Sequence, residues 1–433
     1  LWCDIDAYRK SPIAELVRLY QRFVSEEKKE AEALGLKKPD RRAAEGEEEE
    51  GEEEAVQAVT PLLKQAREEL VKLQSGDGEN LALWQDFVRV SLGEFHKTYA
   101  RLGIQFDHEY GESYYHPRLS ALVDQLVSLG LAEPSRGAII CPIEGEPAPL
   151  LVRKADGSFL YGTTDIATVE YRVKTWHPSR ILYVVGTPQQ LHFRQVFGVS
   201  LRFLAGSGAL SAGQAAPSLE HINFGAMRFR DATGNWATGS TRLGNVPLLD
   251  EFLDMAIARA QTVAQEKNSE LSPEEIAEVA RVVGIGAVKY NDLCRDRVAD
   301  IHFDLDKAMA LEGNTAPYIQ YAYTRMRSIG RRAAAEGFPT APPSITQPAE
   351  RALARRLLEY GAAVEKVAET CRPHILCEYL YELSGAVSTF YNEVPVLKAE
   401  PAERGSRLGL LDLAARTLQH GLSLLGIEVP ERM

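Results

Sequence analysis

The sequence has few cysteines and no long apolar run, and both shortages exclude classes of protein. Its five cysteines form no Cys-x-x-Cys pair and no zinc-ligand spacing, so neither a disulfide framework nor a metal site is expected. Unpaired cysteines are typical of a reducing compartment, which predicts a cytoplasmic protein. No apolar stretch approaches the length of a membrane span and no signal peptide is visible, which predicts no membrane partner.

The chain also lacks an excess of positive charge. Its 61 acidic residues outnumber its 49 lysines and arginines, and the net charge of −12 argues against a surface coated with basic groups for nucleic acid. The densest cluster of acid lies in residues 38–54, which contain Glu-Gly-Glu-Glu-Glu-Glu-Gly-Glu-Glu-Glu. We interpret this segment as a solvated, disordered insertion, with an interaction role as the alternative. Because the acid is concentrated there, a local basic face elsewhere is not excluded.

The 433 residues suffice for two or three domains. Alternating strand and helix patterns before about residue 270 give way to an almost wholly helical pattern after it. This change predicts an α/β domain over 1–271, with a small β insertion at about 112–156, and an α-helical bundle over 272–433.

Hydrophobic periodicity predicts the individual helices of both domains. The predicted helices of the first domain include 11–37, 55–73 and 81–102, and residues 104–107 are predicted to form a strand. The predicted helices of the second domain are 272–300, 305–336, 348–370, 375–394 and 403–425.

Residues 157–195 contain polar side chains at the ends of two predicted strands. Phe159–Tyr161 is a short apolar run closed by Gly162, and the two threonines that follow are good helix-entry residues. This reading puts Asp165 in the first helical turn, where the helix dipole favours a carboxylate.

The second strand of this stretch, Arg180–Val185, is a continuous apolar run of the kind expected for a buried parallel strand. Gln189 and His192 follow it. Ligands of open α/β sheets bind at the carboxyl ends of the strands. We therefore predict a binding site that includes Tyr161 with Asp165, and Gln189 with His192.

The chemistry of this set suits a planar cation with several donors. A phenol, a carboxylate and an amide can together hold a guanidinium group, which a carboxylate binds through two parallel hydrogen bonds. The alternative is that Asp165 only stabilises its helix and that Tyr161 is a core residue.

A second candidate site is the small-residue loop Thr238-Gly-Ser-Thr-Arg-Leu-Gly-Asn245, ahead of a helix predicted near 247–265. Such loops let backbone N–H groups and a cation approach phosphate. Ser240, Thr241 and Arg242 are the predicted contacts to a nucleoside triphosphate. The alternative is an ordinary strand-to-helix loop.

The helical part contains a run of tyrosines and arginines from Tyr318 to Arg332. Aromatic rings interleaved with arginines suit an RNA surface, because unstacked bases lie on rings and guanidinium groups reach phosphate. The alternative is a helix whose tyrosines belong to the core and whose arginines form a solvated face.

These motifs resemble those of arginyl-tRNA synthetases. The matching residues are Tyr161-Gly-Thr-Thr-Asp-Ile-Ala167, Ile181-Leu-Tyr-Val-Val185 and Gln189-Gln-Leu-His192. The resemblance implies that Tyr161, Asp165 and Gln189 hold the substrate arginine, with His192 nearby. It also implies a Rossmann-like class I synthetase catalytic domain followed by an all-α anticodon-binding bundle.

The loop at 239–245 is similar to the Lys-Met-Ser-Lys-Ser loop of class I synthetases, which faces the ATP phosphates. Many arginyl enzymes carry Met-Ser-Thr-Arg-(Lys/Arg)-Gly-Asn there, whereas this sequence has Gly239-Ser-Thr-Arg-Leu-Gly-Asn245. Arg242 is therefore the one cation in the loop, which weakens its assignment as a phosphate clamp.

The tail is similar to the anticodon-binding domain of the same family. The resemblance implies contacts to the anticodon loop from five residues: Tyr318, Tyr321, Arg325, Tyr391 and Met433. Some relatives have Trp where Pro395 stands, so one stacking contact is expected to differ.

The implied activity is ATP-dependent ligation of arginine to tRNA(Arg), with ATP and Mg²⁺ as substrate, no tightly bound cofactor and a monomeric protein. The family's His-x-Gly-His motif is absent, and the chain begins with Leu1. We expect this chain to be the later part of a longer enzyme, without the N-terminal domain. The alternatives are a non-catalytic tRNA-binding fragment or paralogue, a protein that interacts through its acidic insertion, and a synthetase of another specificity.

Overall fold

The computed structural model describes residues 2–36, 59–146, 148–211, 213–230, 234–238, 249–267 and 271–433. Two predictions lie outside these residues: the acidic insertion at 38–54 and the loop with Ser240, Thr241 and Arg242. The chain divides into two compact units, 1–92 with 106–224 and 93–105 with 225–433.

The N-terminal region is helical. Its helices are α1 (Ile5–Lys10), α2 (Pro12–Ala33), α3 (Pro61–Gln74) and α4 (Gly78–Arg101). Thr60 begins α3 by accepting the N–H of Leu63 at 3.2 Å, and Pro61 takes the first helical position. The three helices predicted in this region are therefore confirmed, and their ends differ from the predicted ones by a few residues.

The strand predicted at 104–107 is wrong. Gly103 ends the preceding helix with a φ of 64°, a conformation that glycine adopts without strain. The N–H of Ile104 bonds back to the carbonyl of Tyr99 at 2.8 Å instead of to a neighbouring strand. The apolar residues after the helix thus extend its C-terminal cap.

A small antiparallel sheet follows helix α5 (His116–Ser128). Its strands are β1 (Glu133–Ser135), β2 (Ala138–Cys141) and β3 (Leu150–Arg153), in the order β1-β2-β3. Val123, Leu126, Leu150 and Val152 are buried in the core that this sheet shares with α5. These strands lie within residues 112–156, and the assignment of this range as an insertion stays a prediction.

The strand predicted at Phe159–Tyr161 is wrong, because helix α6 (Tyr161–Trp176) begins with Tyr161. Phe159 forms only an isolated bridge with Arg153. The hydroxyl of Thr163 does not cap the helix but donates to the carbonyl of Val152, which fixes the first turn of α6 on β3. Asp165 accordingly lies in the second turn, not in the first.

Strands β4 (Arg180–Gly186) and β5 (Ser218–Phe224) pair in parallel, with helix α7 (Gln190–Gly206) between them in the chain. The prediction of a wholly buried β4 is wrong. Ile181 and Tyr183 are buried against α6 and α7, whereas Leu182 is exposed and Val184 is 67% exposed. Within the described residues, helices thus cover one face of this sheet, so that alternate residues of the apolar run are buried and exposed.

The second unit contains a three-stranded sheet of order β7-β6-β8. Strand β6 (Met227–Arg230) pairs with β7 (Trp236–Thr238) in antiparallel fashion and with β8 (Ile301–His302) in parallel fashion. The helices of this unit are α8 (Leu249–Lys267), α9 (Pro273–Leu293), α10 (Leu305–Ala308), α11 (Ala316–Ala335), α12 (Pro348–Leu358), α13 (Tyr360–Thr370), α14 (His374–Glu393) and α15 (Pro401–Leu424).

Two predicted helices of the tail are each divided in the structure. The helix predicted at 305–336 is broken before α11, because Gly313 has a φ of 77° and the hydroxyl of Thr315 caps a new helix by accepting the N–H of Tyr318 at 3.3 Å. The helix predicted at 348–370 divides at Glu359 into α12 and α13.

The bundle has a continuous apolar core. Ile319, Tyr323, Phe390 and Leu418 from α11, α14 and α15 are among its fully buried residues. No helix among the described residues is both long and apolar enough to cross a membrane. The predicted α-helical tail is confirmed.

Candidate functional site

Asp165 on α6 and His192 on α7 form a direct pair. His192 Nε2 lies 2.7 Å from Asp165 Oδ2, and the two side chains are 21% and 27% exposed. An ionised carboxylate only accepts hydrogen bonds, so the imidazole Nε2–H must be the donor. Within the described residues, the other oxygen, Oδ1, has no hydrogen-bond partner. The pair therefore leaves half of the carboxylate open to a ligand.

Tyr161 and Gln189 each lie one helical turn before a member of this pair. Tyr161 is exposed and precedes Asp165 by four residues on α6, a spacing that puts both on one face of the helix. Gln189 is exposed in a single 3₁₀ turn that follows β4 directly, three residues before His192. Gln189 thus lies at the carboxyl end of a strand, as predicted, whereas Tyr161 lies at the start of a helix.

The turn that carries Gln189 is held against the end of β5. The hydroxyl of Thr187 donates to the carbonyl of Phe224 at 2.9 Å and accepts from Nδ2 of Asn223 at 3.2 Å. These bonds fix the backbone where β4 passes into α7. The position of Gln189 is consequently set by both strands of the sheet.

Two residues near the pair were missed from the sequence. The guanidinium of Arg172 lies 5.0 Å from the ring centroid of Tyr183, which is buried. Burial raises the pKa of the Tyr183 phenol well above its ordinary value. Because Arg172 follows Asp165 by seven residues, helical periodicity alone would have put the two on the same face.

His192 also has an apolar neighbour on its own helix. Its ring meets that of Phe193 edge-on at a centroid distance of 5.2 Å, and Phe193 lies 4.8 Å from the ring of His221 on β5. Nε2 of His221 lies 3.0 Å from the carbonyl of Val185. The imidazole of His192 is thus held between a carboxylate and an aromatic layer.

A second candidate surface lies along α11. Tyr318, Tyr321 and Arg325 are spaced by three and four residues and share one face of the helix. Arg325 places its guanidinium 4.0 Å from the ring centroid of Tyr391. Tyr323, by contrast, is buried in the core. The run of tyrosines therefore serves both the core and the exposed face.

Tyr321 and Met433 line one cavity of about 550 Å³, although they are far apart in the chain. Its other lining residues come mainly from α8, α9 and the approach to α11: Ala260, Val263, Ala264, Lys267, Val279, Val283, Met309, Leu311 and Pro317. Most of its lining side chains are apolar or aromatic, and Lys267 places a cation on its wall. Arg325 and Tyr391 are not among the lining residues, so the five predicted RNA contacts form separate groups.

Comparison with protein families gives two matches that together span most of the chain. Residues 9–305 match the family described as tRNA synthetases class I (R), catalytic domain. Residues 319–433 match the DALR anticodon binding domain. The fold is accordingly that of a class I synthetase catalytic domain followed by an all-helical anticodon-binding domain. The predicted division at residue 271 stays a prediction.

Individual relatives agree with this class. The chain is 41% identical over 409 residues to an arginine–tRNA ligase of Rhodopirellula baltica. This alignment covers 88% of the chain and 59% of the relative. It is 42% identical over 384 residues to an arginine–tRNA ligase of Cellvibrio japonicus, in an alignment that covers 85% of the chain and 64% of the relative. The arginyl-tRNA synthetase of Thermus thermophilus superposes with a TM-score of 0.72 at 27% identity, covering 86% of this chain and 67% of that structure.

The chain belongs to the arginyl-tRNA synthetase family. It spans about three fifths of the length of the curated relatives that it matches.

Proposed function

We propose that the chain provides the arginine-binding and anticodon-binding parts of an arginine–tRNA ligase. The observation that carries this proposal is the half-open carboxylate of Asp165, on the same helical face as Tyr161 and paired with His192 just beyond β4. In this proposal, residues 1–271 supply the catalytic region and 272–433 the anticodon-binding domain.

A guanidinium group suits this arrangement. Oδ1 of Asp165 would accept one of its N–H groups, and the phenol oxygen of Tyr161 and the amide oxygen of Gln189 would accept others. Lysine carries its charge on a compact ammonium without the planar set of donors, so it would satisfy fewer of these acceptors. The site would therefore favour arginine through both charge and shape.

The proposed reaction has two steps. The arginine carboxylate attacks the α-phosphate of ATP and releases pyrophosphate, and the terminal ribose hydroxyl of tRNA then takes the arginyl group. Such steps depend on positioning and charge stabilisation more than on a side-chain nucleophile. Ser240, Thr241 and Arg242 stay the proposed phosphate contacts. We further propose Mg²⁺ as the partner of ATP, no tightly bound cofactor, a monomer and a cytoplasmic location.

The cavity with Tyr321 and Met433 supports a role in binding unstacked bases of the anticodon loop. An aromatic ring and a methionine offer apolar contact to a base, and Lys267 offers charge to a phosphate. Stacking on an aromatic ring is worth about 1–3 kcal/mol per base. Tyr318, Arg325 and Tyr391 would extend this contact surface beyond the cavity.

A second candidate function is tRNA binding without catalysis. The observation that favours it is the absence of a His-x-Gly-His motif from the 433 residues. Such a protein would keep the RNA-binding surface and the arginine pocket but would not form arginyl-adenylate.

Three measurements on the purified 433-residue protein separate these functions. They are tRNA(Arg) binding, arginine-dependent exchange of pyrophosphate into ATP with tRNA present, and charging of tRNA with labelled arginine. Charging that is lost in Asp165→Asn supports the ligase. Binding of tRNA without exchange or charging identifies the binding module. Absence of all three contradicts both.

A further inference from the structure

We propose that His192 is a positioning residue that holds Asp165 ready for a guanidinium group as a neutral imidazole, and that protonation of His192 weakens arginine binding. This inference rests on the proposed function. It differs from a direct contact between His192 and arginine, because His192 acts through the carboxylate that it orients.

The geometry gives the neutral imidazole a defined task. Its Nε2–H donates to Oδ2 of Asp165 over 2.7 Å, and this bond restricts rotation of the carboxylate about its side-chain torsions. The edge-on contact with Phe193 fixes the plane of the imidazole in turn. Oδ1 of Asp165 is then left in one orientation for a ligand, which lowers the ordering cost of binding.

Protonation changes the charge of the pair without removing the hydrogen bond. A neutral His192 leaves the full negative charge of Asp165 available to a cationic ligand. A protonated His192 compensates that charge and places a second cation beside the position of the guanidinium, which disfavours arginine. By linkage, arginine binding must disfavour protonation of the pair to the same extent.

Other charged and titratable groups near the pair have to be distinguished from His192 as the source of a pH response. The groups around the pair are Arg172 on α6, Tyr183 on β4 and His221 on β5, and Tyr115 before α5 lies near Tyr183. On α7 itself, Arg194 is paired with Glu146 at 3.2 Å. Of these side-chain types, imidazole is the one that ordinarily changes charge between pH 5 and 8. His221 is therefore the residue that the experiment must control for.

The test is the affinity of the full chain for L-arginine, measured by calorimetry at several values between about pH 8 and about pH 5.5. The wild-type protein is expected to lose affinity about fivefold across this range. His192→Gln keeps an amide N–H donor but cannot titrate. It is therefore expected to bind arginine within about twofold of wild type at the upper pH, with an affinity that does not fall as the pH is lowered.

His192→Ala removes the donor and is expected to bind about tenfold more weakly at the upper pH, again without a slope. His221→Gln is the matched control and is expected to keep the wild-type slope. A merely structural role for His192 would weaken binding in both His192 variants and leave the pH dependence in place.

Two outcomes contradict the inference, and they are distinguishable. If His192→Gln binds arginine with the same pH dependence as wild type, the role of His192 is overturned but the proposed function is left intact. Absence of arginine binding by the wild-type protein at every pH overturns the proposed function and the inference together.

Discussion

Two carboxylates in the molecule are paired with basic side chains in very different ways. Glu350 on α12 and Arg407 on α15 form a pair with side chains only 3% and 4% exposed, with Arg407 Nε 2.8 Å from Glu350 Oε1. Asp165 and His192, in the other compact unit, form a pair that is several times more exposed. Both are short contacts, so distance alone does not separate them.

The difference lies in how many of the acceptor positions are used. Oε2 of Glu350 accepts the backbone N–H groups of Thr346 at 2.7 Å and Gln347 at 2.9 Å, so both carboxylate oxygens are engaged. Asp165 accepts one bond, from His192, within the described residues. A saturated and buried carboxylate stabilises the fold, whereas a half-engaged and accessible one is suited to a ligand.

Arg407→Met should produce the largest effect, on stability. It leaves the buried charge of Glu350 without its cation and removes the bond from Arg407 Nη1 to the carbonyl of Pro395 at 2.9 Å. The free energy of unfolding should fall by about 3–5 kcal/mol in urea titrations.

The matched control is Arg416→Met on the same helix, because Arg416 pairs with Asp412 at 3.0 Å but is exposed. It should change stability little. Equal losses in the two variants would contradict the claim that burial makes the Glu350–Arg407 pair important for stability.

Asp165→Asn should produce the next largest effect, on arginine binding instead of stability. The substitution keeps the shape but removes the charge, and the Michaelis constant or dissociation constant for arginine should rise about 100-fold. Glu170→Gln is the control on the same helix, since Glu170 pairs with Lys174. An unchanged arginine constant in Asp165→Asn would remove Asp165 from the site.

Acid should affect the buried pair in a predictable direction. Burial raises the pKa of Glu350, but Arg407 and the N–H groups of Thr346 and Gln347 outweigh burial and hold this pKa below its ordinary value. A depressed pKa in the folded state means that Glu350 contributes its full stability above about pH 4.3 and loses it as pH falls through the folded value.

The stability difference between wild type and Glu350→Gln should therefore narrow as pH falls from about 6 to about 3. Denaturant titrations at each pH measure this difference. A constant or widening difference would show that Glu350 does not carry the acid sensitivity.

The cavity residues should give the smallest single effects, because apolar contact is shared among several side chains. Tyr321→Ala and Met433→Ala should each weaken tRNA(Arg) binding about three- to tenfold. Leu424→Ala, an exposed residue of α15 outside the cavity lining, is the control. Loss of all RNA binding in one of the cavity variants would contradict a distributed surface.

Much of the fold could be predicted from the sequence, and the errors have identifiable causes. Short apolar runs are compatible with a strand or with a helix entry, and the contacts that decide between them are tertiary. For Tyr161 they are the bond from Thr163 to Val152 and the packing of Gly162, where a Cβ would lie 2.8 Å from Cδ1 of Leu150. No local pattern reveals these contacts.

The break before α11 was, in contrast, readable. Gly313 favours a positive φ, and Thr315 with Pro317 forms a helix-start pattern. Continuous helical periodicity on both sides obscured it.

The candidate sites were predicted in part. The strand-end position of Gln189 was predicted correctly, whereas the strand predicted before Asp165 was wrong. The direct pair of Asp165 with His192 depends on how α6 and α7 pack. The association of Met433 with Tyr321 came from family resemblance, because residues so distant in the chain meet only through the folding of the whole bundle.

The most direct test of the open carboxylate is the binding of arginine and of citrulline to wild-type protein and to Asp165→Asn. Citrulline has nearly the shape of arginine but carries a neutral urea group in place of the guanidinium. We predict that the wild-type protein prefers arginine by about 100-fold and that this preference disappears in Asp165→Asn. A preference that survives the substitution, or equal binding of both ligands to wild type, would contradict the account.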